Sequence, residues 1–223
     1  MLDRAEIINE EFYSDNIAPA TYDLRLADGW RHFGKQFFRY NFGIYMNEIR
    51  RVLPLRIRLA DFQISKSQKR TLRRNADLLT DIAPIAINRE IEDLFHRHKR
   101  RFRFGVPNSV FDFVSHDSAS VPTEGFQIEA RLDGRLVAIS FFDISCIGVS
   151  AIYGCFDPDE TRRSLGIFTM LKIIEHARTT GKQFYYHGYA YDGESFYDYK
   201  KRFTAIEVFD WSGNWNPMSG QVR

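Results

Sequence analysis

The sequence predicts an α/β fold of the α+β kind, in which helices pack on a mixed sheet and a smaller α+β region comes first. After residue 125, segments whose apolar residues have the spacing of strands alternate with segments that have the spacing of helices. Two of the strand-like segments are joined by a pair of residues typical of a tight turn. With 223 residues, 44% hydrophobic and 27% charged, the chain has the composition of a folded globular protein. We expect residues 1–88 to form the N-terminal region and residues 89–223 the main domain.

Three segments of the first half have recognisable patterns. Residues 55–62 alternate in hydrophobicity, which predicts a strand in a short sheet. Ser65 precedes a cationic segment that predicts a helix ending near Asn75. Residues 89–104 predict an amphipathic helix, because their apolar residues recur at intervals of three and four.

The pattern is sharper in the second half. Residues 127–132 and 135–142 predict two strands joined by Asp133 and Gly134, a pair that readily adopts the positive φ angles of a type I′ turn. A third strand is predicted over residues 149–156.

A helix and three shorter elements complete the chain. Ser164 is the predicted N-cap of a core-facing helix over residues 165–179, which ends at Gly181. The elements that follow are an aromatic strand at 184–191, a short helix at 197–203 and a final strand at 206–211. This order of elements resembles that of an N-acetyltransferase-like (GNAT) fold.

The positive charge is concentrated in one part of the chain, although the net charge is only +2. Residues 45–105 contain fifteen Lys and Arg against seven Asp and Glu. Such a basic block favours a polyanion partner such as nucleic acid, because bound phosphates release their counterions. A solvated helix face is the alternative interpretation.

The cysteine count and the hydropathy pattern exclude several classes of protein. With only Cys146 and Cys155, neither a disulfide framework nor a zinc or iron–sulfur site is expected. The most apolar stretch, 136–156, is interrupted by Asp143 and Gly148. We therefore expect no membrane span, no signal peptide and a cytoplasmic location.

An acyl-CoA enzyme of this fold would expose backbone N–H groups to a pyrophosphate at the start of the central helix. The corresponding residues, 163–168, include Gly166 but have Phe168 where the last small residue of the motif is needed. We expect Phe168 to crowd such a site. An acyl-CoA N-acyltransferase is therefore kept only as an alternative function.

Six ordered motifs resemble those of aminoacyl-tRNA-protein transferases, the arginyltransferases and bacterial aspartate/glutamate leucyltransferases. They comprise residues 28–34, 54–57, 65–70 with 73–78, 156–166, 185–189 and 199–203. The resemblance implies an aminoacyltransferase in which an acceptor amine attacks the ester carbonyl of aminoacyl-tRNA carrying Leu or Arg. Because that ester is already activated, no cofactor is implied. The implied partners are aminoacyl-tRNA and a protein or peptide with a free amine.

Two departures from the family pattern affect these expectations. Three N-terminal cysteines of the family are replaced by Met46, Ile49 and Val52, which we expect to keep the positions buried while removing metal ligands. The family's later Cys-x-Lys-Met segment begins here with Glu194 and has Phe196 at the lysine position. We expect these two residues to set acceptor specificity and to favour neutral or basic acceptors. A non-catalytic tRNA-binding paralogue is a further alternative.

The candidate catalytic residues follow from these motifs, with His187 added because an imidazole suits proton transfer near neutrality. They are Tyr189, Tyr199, Lys200, Asp157 and His187. Capping of the following helix is the alternative role for Asp157. Strict alternation places Tyr185, His187 and Tyr189 on one face of their strand. If the strands at 149–156 and 184–191 splay apart, as the fold resemblance implies, their backbones supply oxyanion donors.

The candidate tRNA-binding residues belong to the basic motifs and the last short helix. They are Ser65, Lys66, Ser67, Gln68, Lys69, Arg70, Arg73, Arg74, Arg162, Arg163 and Arg202. Their cationic members would neutralise phosphates of the acceptor end. Covering the short helix is the alternative role for Lys200 and Arg202.

Overall fold

The computed structural model describes residues 6–103 and 105–218. Its helices are α1 (Pro19–Ala27), α2 (Lys66–Arg74), α3 (Arg89–Lys99) and α4 (Leu165–Thr179), with 3₁₀ helices at Val110–Asp112, Pro158–Arg163 and Phe196–Arg202. Its strands are β1 (Asn9–Tyr13), β2 (Arg31–Phe33), β3 (Gln36–Tyr40), β4 (Phe42–Tyr45), β5 (Glu48–Arg58), β6 (Leu79–Pro84), β7 (Gly125–Leu132), β8 (Arg135–Ile144), β9 (Gly148–Phe156), β10 (Phe184–Tyr191), β11 (Ile206–Phe209) and β12 (Trp215–Pro217). Within these described ranges, each helix is too short or too polar to cross a bilayer.

Most of the strands form one mixed sheet in the order β12-β11-β5-β10-β9-β8-β7-β6, with β4 added along the first half of β5. Only β9 and β10 run parallel, and the other neighbouring pairs in the described chain are antiparallel. Strands β1, β3 and β2 form a separate small sheet. The predicted mixed sheet is confirmed, and the predicted order of elements is present from β7 to β11.

Strands from both sides of residue 88 share the large sheet. Strand β5 lies between β10 and β11, and β6 pairs with β7. The apolar residues Val52, Leu55 and Ile57 of β5 are buried, as a strand inside a sheet requires. The first half of the chain therefore supplies a central strand of the sheet.

The hairpin of β7 and β8 has the predicted turn. Asp133 has a φ of +48° and Gly134 a φ of +84°, and the two residues join strands that pair in antiparallel register. Helix α4 also begins at the predicted residue, Leu165. Ser164 occupies the predicted N-cap position, but it adopts a left-handed conformation and its side chain makes no capping hydrogen bond.

Helix α2 begins with a capping box. The Ser65 hydroxyl accepts a hydrogen bond from the Gln68 N–H at 3.2 Å, and the Gln68 side chain accepts one from the Ser65 N–H at 2.9 Å. Such caps contribute about 1 kcal/mol to helix stability. The predicted helix and its end at Asn75 are confirmed.

Helix α4 covers the sheet with its apolar face. Leu171 and Ile174 pack in the same cluster as Leu55 and Tyr185 of the central strands. Phe168 lies in a neighbouring cluster and is only 4% exposed. The expectation that Phe168 crowds the start of α4 is therefore wrong, because its ring is packed in the core.

The hairpin of β4 and β5 carries the positions at which the family has cysteines. Val52 is buried there, whereas Met46 is 74% and Ile49 78% exposed. The expectation of burial is wrong for these two residues, because Met46 lies in the turn and Ile49 follows it at the outer end of β5. With Ile44 they form an exposed apolar tip.

Candidate active site

Two β-bulges face the point at which β9 and β10 separate. The parallel pairing of these strands extends only from Gly148 to Ser150 on β9 and from Phe184 to Tyr186 on β10. Past that point Ile152 is the extra residue of a bulge between β8 and β9, and His187 is the extra residue of a bulge between β10 and β5. Bulges disrupt the ladder locally and recur beside active sites. Both bulge residues line one cavity.

The cavity between the strands has a volume of about 200 Å³. Its wall combines aromatic rings with two cations, and no carboxylate of the described residues lines it. The lining residues are Arg31, Phe33, Phe38, Tyr40, Val52, Ala151, Ile152, His187, Gly188, Tyr189, Tyr191, Tyr197 and Lys200. Strands β2 and β3 of the small sheet thus close the gap that the splayed strands leave.

Lys200 projects into this cavity from the last 3₁₀ helix. Its Nζ donates a hydrogen bond to the Tyr189 carbonyl at 2.9 Å and lies 5.2 Å from the centre of the Tyr197 ring. Burial, and to a smaller extent the nearby charge of Arg31, lower the pKa of Lys200 to about 7. A substantial fraction of this amine is therefore neutral near pH 7, as proton transfer requires.

Arg31 is the second cation of the cavity. It is 9% exposed, and its Nη2 donates to the Ala151 carbonyl on β9. Its Nη1 is buried and has no hydrogen-bond partner among residues 6–103 and 105–218. Neither Arg31 nor Lys200 forms an ion pair with an acidic residue in those ranges.

Gly188 lies beside both cations. Its φ is +92°, and a Cβ added to it would lie 3.3 Å from the Lys200 Nζ and 3.7 Å from the Arg31 Nη2. A glycine is favoured here because the backbone conformation disfavours L side chains and the space is already occupied.

The bulge at His187 changes which faces its neighbours occupy. Tyr185 packs in the core under α4, while the Tyr189 hydroxyl donates to the Gly29 carbonyl at 2.7 Å on the opposite side, where Tyr186 also packs. The prediction that Tyr185 and Tyr189 share a face is wrong, because one inserted residue reverses the alternation.

His187 and two tyrosines of the candidate set surround the cations. Burial lowers the pKa of His187 far below its usual value, which keeps the imidazole neutral, and its ring nitrogens have no partner within the described chain. Burial raises the pKa values of Tyr189 and Tyr199, the latter to about 12. These hydroxyls remain protonated at neutral pH. Tyr199 does not line the cavity, and its ring contacts that of Phe196.

Asp157 lies outside the cavity and is buried in a structural role. Its carboxylate accepts hydrogen bonds from Arg135 at 2.5 Å and from the Asp159 N–H at 3.0 Å, the latter capping a 3₁₀ helix. Of its two predicted alternatives, the structure shows the capping role.

The basic segment on α2 is divided between exposed cations and capping groups. Exposed side chains at Lys66, Lys69, Arg70 and Arg73 have the i, i+3, i+4, i+7 spacing of one helix face, and no acidic residue of the described chain pairs with them. Ser65 and Gln68 are instead engaged in the capping box. Ser67 is exposed on the same helix.

The other candidate tRNA contacts are partly neutralised. Arg74 donates to the carbonyl of Arg162, which is itself exposed. Arg163 binds both carboxylate oxygens of Asp77 at 2.9 Å and also pairs with Glu160. Arg202 is exposed. Arg163 therefore has a structural partner, whereas Arg162 and Arg202 present their side chains to solvent.

The candidate acceptor-specificity residues do not line the cavity. Glu194 is exposed, and its carbonyl accepts a hydrogen bond from Arg50 beside a shallow groove. Phe196 is 58% exposed, and the Arg101 guanidinium lies 5.5 Å from its ring centre. Only Tyr197 of this segment reaches the cavity.

Arg31 is the principal cavity residue that sequence reasoning missed. Arg31 lies in the 28–34 motif, so the sequence marked the segment. No pattern in the neighbouring residues indicates that β2 packs against a strand more than a hundred residues away. Tyr40 and Tyr191 were missed for the same reason.

The comparisons with known proteins agree with the motifs. A family model described as arginine-tRNA-protein transferase, C terminus, matches residues 90–210. An aspartate/glutamate leucyltransferase of Marinobacter nauticus is 32% identical over 201 residues, covering 89% of this chain and 82% of that protein. The corresponding protein of Stenotrophomonas maltophilia is 31% identical over 220 residues, covering 93% and 86%.

Other likenesses cover less of the matched proteins. An aspartate/glutamate leucyltransferase of Acinetobacter baumannii is 34% identical over 174 residues, and the match spans 76% of this chain but 64% of that relative. The C-terminal domain of a putative lysylphosphatidylglycerol synthetase from Agrobacterium fabrum matches 82% of this chain and 55% of that one, with 18% identity and a TM-score of 0.49.

Two findings identify the family of the chain. The family model matches residues 90–210, and two relatives are more than 30% identical to the chain over most of both sequences. The chain belongs to the arginine-tRNA-protein transferase family.

Proposed function

We propose that this protein transfers an aminoacyl group, leucine or arginine, from aminoacyl-tRNA to the free amine of a protein N-terminus or a small peptide. The observation that carries the proposal is the cavity at the splayed strands, where two bulges, Lys200 and Arg31 meet. Family membership supports the reaction class. The names of the three bacterial relatives support leucine as the first donor to test.

The reaction joins two reactants without an added energy source. The neutral acceptor amine attacks the ester carbonyl of aminoacyl-tRNA, and a C–N bond forms as the tetrahedral oxyanion develops. The ester C–O bond then breaks, and the terminal ribose hydroxyl leaves with a proton. Positioning and preorganised donors supply the largest part of such a rate enhancement.

Lys200 is the proposed general base. Its neutral form takes the proton that the acceptor amine loses, and its position inside the cavity keeps that proton away from bulk water. Tyr189 positions the Lys200 amine. Its carbonyl accepts the hydrogen bond from Lys200 Nζ, and its hydroxyl donates to the Gly29 carbonyl. We assign the oxyanion to backbone N–H groups at the Ile152 and His187 bulges, where pairing is interrupted.

The exposed stripe of Lys66, Lys69, Arg70 and Arg73 on α2 is the proposed tRNA-backbone surface. It presents four cations on one face without acidic partners in the described chain. Phosphate neutralisation by such a stripe gives affinity without base specificity.

The test supplies purified protein with leucyl-tRNA or arginyl-tRNA carrying a labelled amino acid, and with a peptide whose N-terminus is free. We expect labelled peptide with a new amide bond, no product from the N-acetylated peptide, and none from acetyl-CoA as donor. Lys200→Met should lower the rate about 10²- to 10⁴-fold. Lys172→Met on α4 is the matched control and should leave the rate unchanged.

Two outcomes contradict the proposal. Binding of tRNA without transfer from either donor would indicate the non-catalytic tRNA-binding alternative. Transfer of the acyl group from acetyl-CoA to the peptide would indicate the acyl-CoA N-acyltransferase.

A further inference from the structure

Phe196 is an exposed aromatic ring anchored beside the candidate active site. It is the first residue of the last 3₁₀ helix and is 58% exposed. Its backbone N–H donates to the Tyr45 hydroxyl at 2.8 Å, and its ring meets that of Tyr199 edge to face, with the centres 6.4 Å apart. The family pattern has a lysine at this position, so the ring is a feature of this chain.

An arginine lies over the same ring. The Arg101 guanidinium is 5.5 Å from the centre of the Phe196 ring and 4.5 Å from the centre of the Phe156 ring. Arg101 is itself exposed, and no acidic residue of the described ranges pairs with it. Aromatic rings and guanidinium planes are the surfaces on which unpaired nucleic-acid bases stack. Phe196 and Arg101 together form what we call the stacking platform.

The chain around the stacking platform carries further positive charge. Arg100 and Arg103 are exposed and have no acidic partner within the described part of the chain. Asp198, the acidic residue of the last 3₁₀ helix, pairs with Lys201 at 2.8 Å. An exposed ring among unpaired cations is the combination that binds single-stranded nucleic acid, because the ring contacts a base while the cations contact phosphates.

Tyr197 connects the stacking platform with the cavity. Its ring centre lies 5.9 Å from that of Phe196 and 5.2 Å from the Lys200 Nζ, and Tyr197 lines the cavity. In aminoacyl-tRNA the ester and the terminal base are attached to the same sugar. The base therefore lies beside the cavity whenever the ester lies within reach of Lys200. Because the last nucleotides of tRNA are unpaired, their bases are free to stack.

We propose that the stacking platform binds the terminal base of the aminoacyl-tRNA donor, which stacks on the Phe196 ring. This inference rests on the proposed function, because it concerns the donor of that same reaction. It gives Phe196 a role towards the donor in place of the role in acceptor specificity that the sequence led us to expect. Stacking adds to the phosphate contacts of the α2 stripe, because it recognises a base and releases no counterion.

The binding experiment uses uncharged tRNA in which 2-aminopurine replaces the terminal adenine, because the fluorescence of this base falls when it stacks. We expect saturating wild-type protein to quench the fluorescence, Phe196→Ala to abolish the quenching and Phe196→Trp to retain it. Phe196→Ala should also weaken tRNA binding roughly 10- to 100-fold, as the loss of one stacked base does. The control Tyr13→Leu, which removes an exposed ring on β1, should change neither quantity.

Two further comparisons separate stacking from general charge. Phe196→Ala should leave the slope of log affinity against log salt unchanged, since it removes no phosphate contact. Arg101→Gln should reduce the quenching at saturation, whereas Arg100→Gln, which removes the same charge one residue earlier, should not. A tRNA that lacks its unpaired 3′ nucleotides should bind wild type and Phe196→Ala equally. Full quenching by Phe196→Ala, or an equal loss of affinity for intact and shortened tRNA, overturns the inference.

Transfer kinetics distinguish a donor contact from an acceptor contact. Phe196→Ala should raise KM for aminoacyl-tRNA and leave KM for the acceptor peptide unchanged. The reverse result would assign the ring to the acceptor and overturn the inference. The quenching requires no transfer, so a wild type that quenches 2-aminopurine but forms no amide supports the inference while contradicting the proposed function. A wild type that forms the amide without quenching has the opposite meaning.

Discussion

At the scale of single residues, the site depends on groups held in unusual conditions by their neighbours. Lys200 is the main example, because burial and Arg31 lower its pKa to about 7. The sequence motif indicated Lys200 as a candidate, but its environment depends on Arg31 of β2 and on Gly188 and Tyr189 of β10. The identity of the residue was therefore predictable and its chemistry was not.

The pH dependence of transfer tests the role of Lys200. Its neutral form is the base, so kcat/KM should rise as the pH increases through about 7. A second rise near 8 belongs to the acceptor α-amine. Measurement between pH 5.5 and 9 should show that Lys200→Arg, whose guanidinium stays charged, is slower and has lost the step near 7. Retention of that step in Lys200→Arg would assign it to another group.

Gly188 permits a second test at this scale. Gly188→Ala places a methyl group 3.3 Å from the Lys200 Nζ at a φ of +92°, so we expect kcat/KM to fall at least about tenfold. The matched control is Gly134→Ala, which has a φ of +84° but nothing within 4 Å. Both variants should lose about 1 to 2 kcal/mol of unfolding free energy from backbone strain. Equal activity of the two variants would show that the space beside Lys200 is unimportant.

At the scale of elements, local signals predicted local structure well. Helix α2 and the β7–β8 turn have the predicted bounds because a capping box and an Asp-Gly pair act within a few residues. Strand β12 was missed, since three residues including a proline carry little signal. The bulges at Ile152 and His187 were also missed, because strict alternation assumes that no residue is inserted.

The basic stripe on α2 makes a prediction about the whole helix. Replacing Lys66, Lys69, Arg70 and Arg73 with Gln should weaken tRNA binding and reduce the slope of log affinity against log salt by roughly 0.7 to 0.9 for each lost phosphate contact. Filter binding at several salt concentrations measures this slope. Ser65→Ala is the control, since it removes the cap without changing charge. An unchanged slope in the fourfold variant would leave α2 as a solvated face.

At the scale of the whole molecule, buried polar contacts join the N-terminal segments to the large sheet. His32 Nε2 lies 2.6 Å from the Asp143 carboxylate, and the Tyr22 hydroxyl lies 3.0 Å from both Asp143 and the Ser150 hydroxyl. These residues come from α1, β2, β8 and β9 and are all buried. No local pattern predicts such a network, because each of these contacts joins residues more than a hundred positions apart in sequence.

Asp143→Asn tests this network. It replaces the buried carboxylate that accepts from the Tyr22 hydroxyl and contacts the His32 ring, so we expect the free energy of unfolding to fall by about 1 to 3 kcal/mol. Urea denaturation measures the loss. Asp77→Asn, which removes an exposed partner of Arg163, should change stability far less. Similar losses in the two variants would mean that the Asp143 contacts contribute little.

The central position of β5 has a consequence for how the chain is made. Arg56 on β5 bonds Glu207 on β11, and the two residues are 151 positions apart. At ordinary rates of synthesis, about 8 to 30 s pass between the emergence of the two from the ribosome. Until β10 emerges β5 lacks both of its long-range partners, and its apolar residues Val52, Leu55 and Ile57 have no completed sheet to enter. The large sheet therefore closes only after β11 has emerged, and until then the exposed apolar residues of β5 make the nascent chain prone to aggregate.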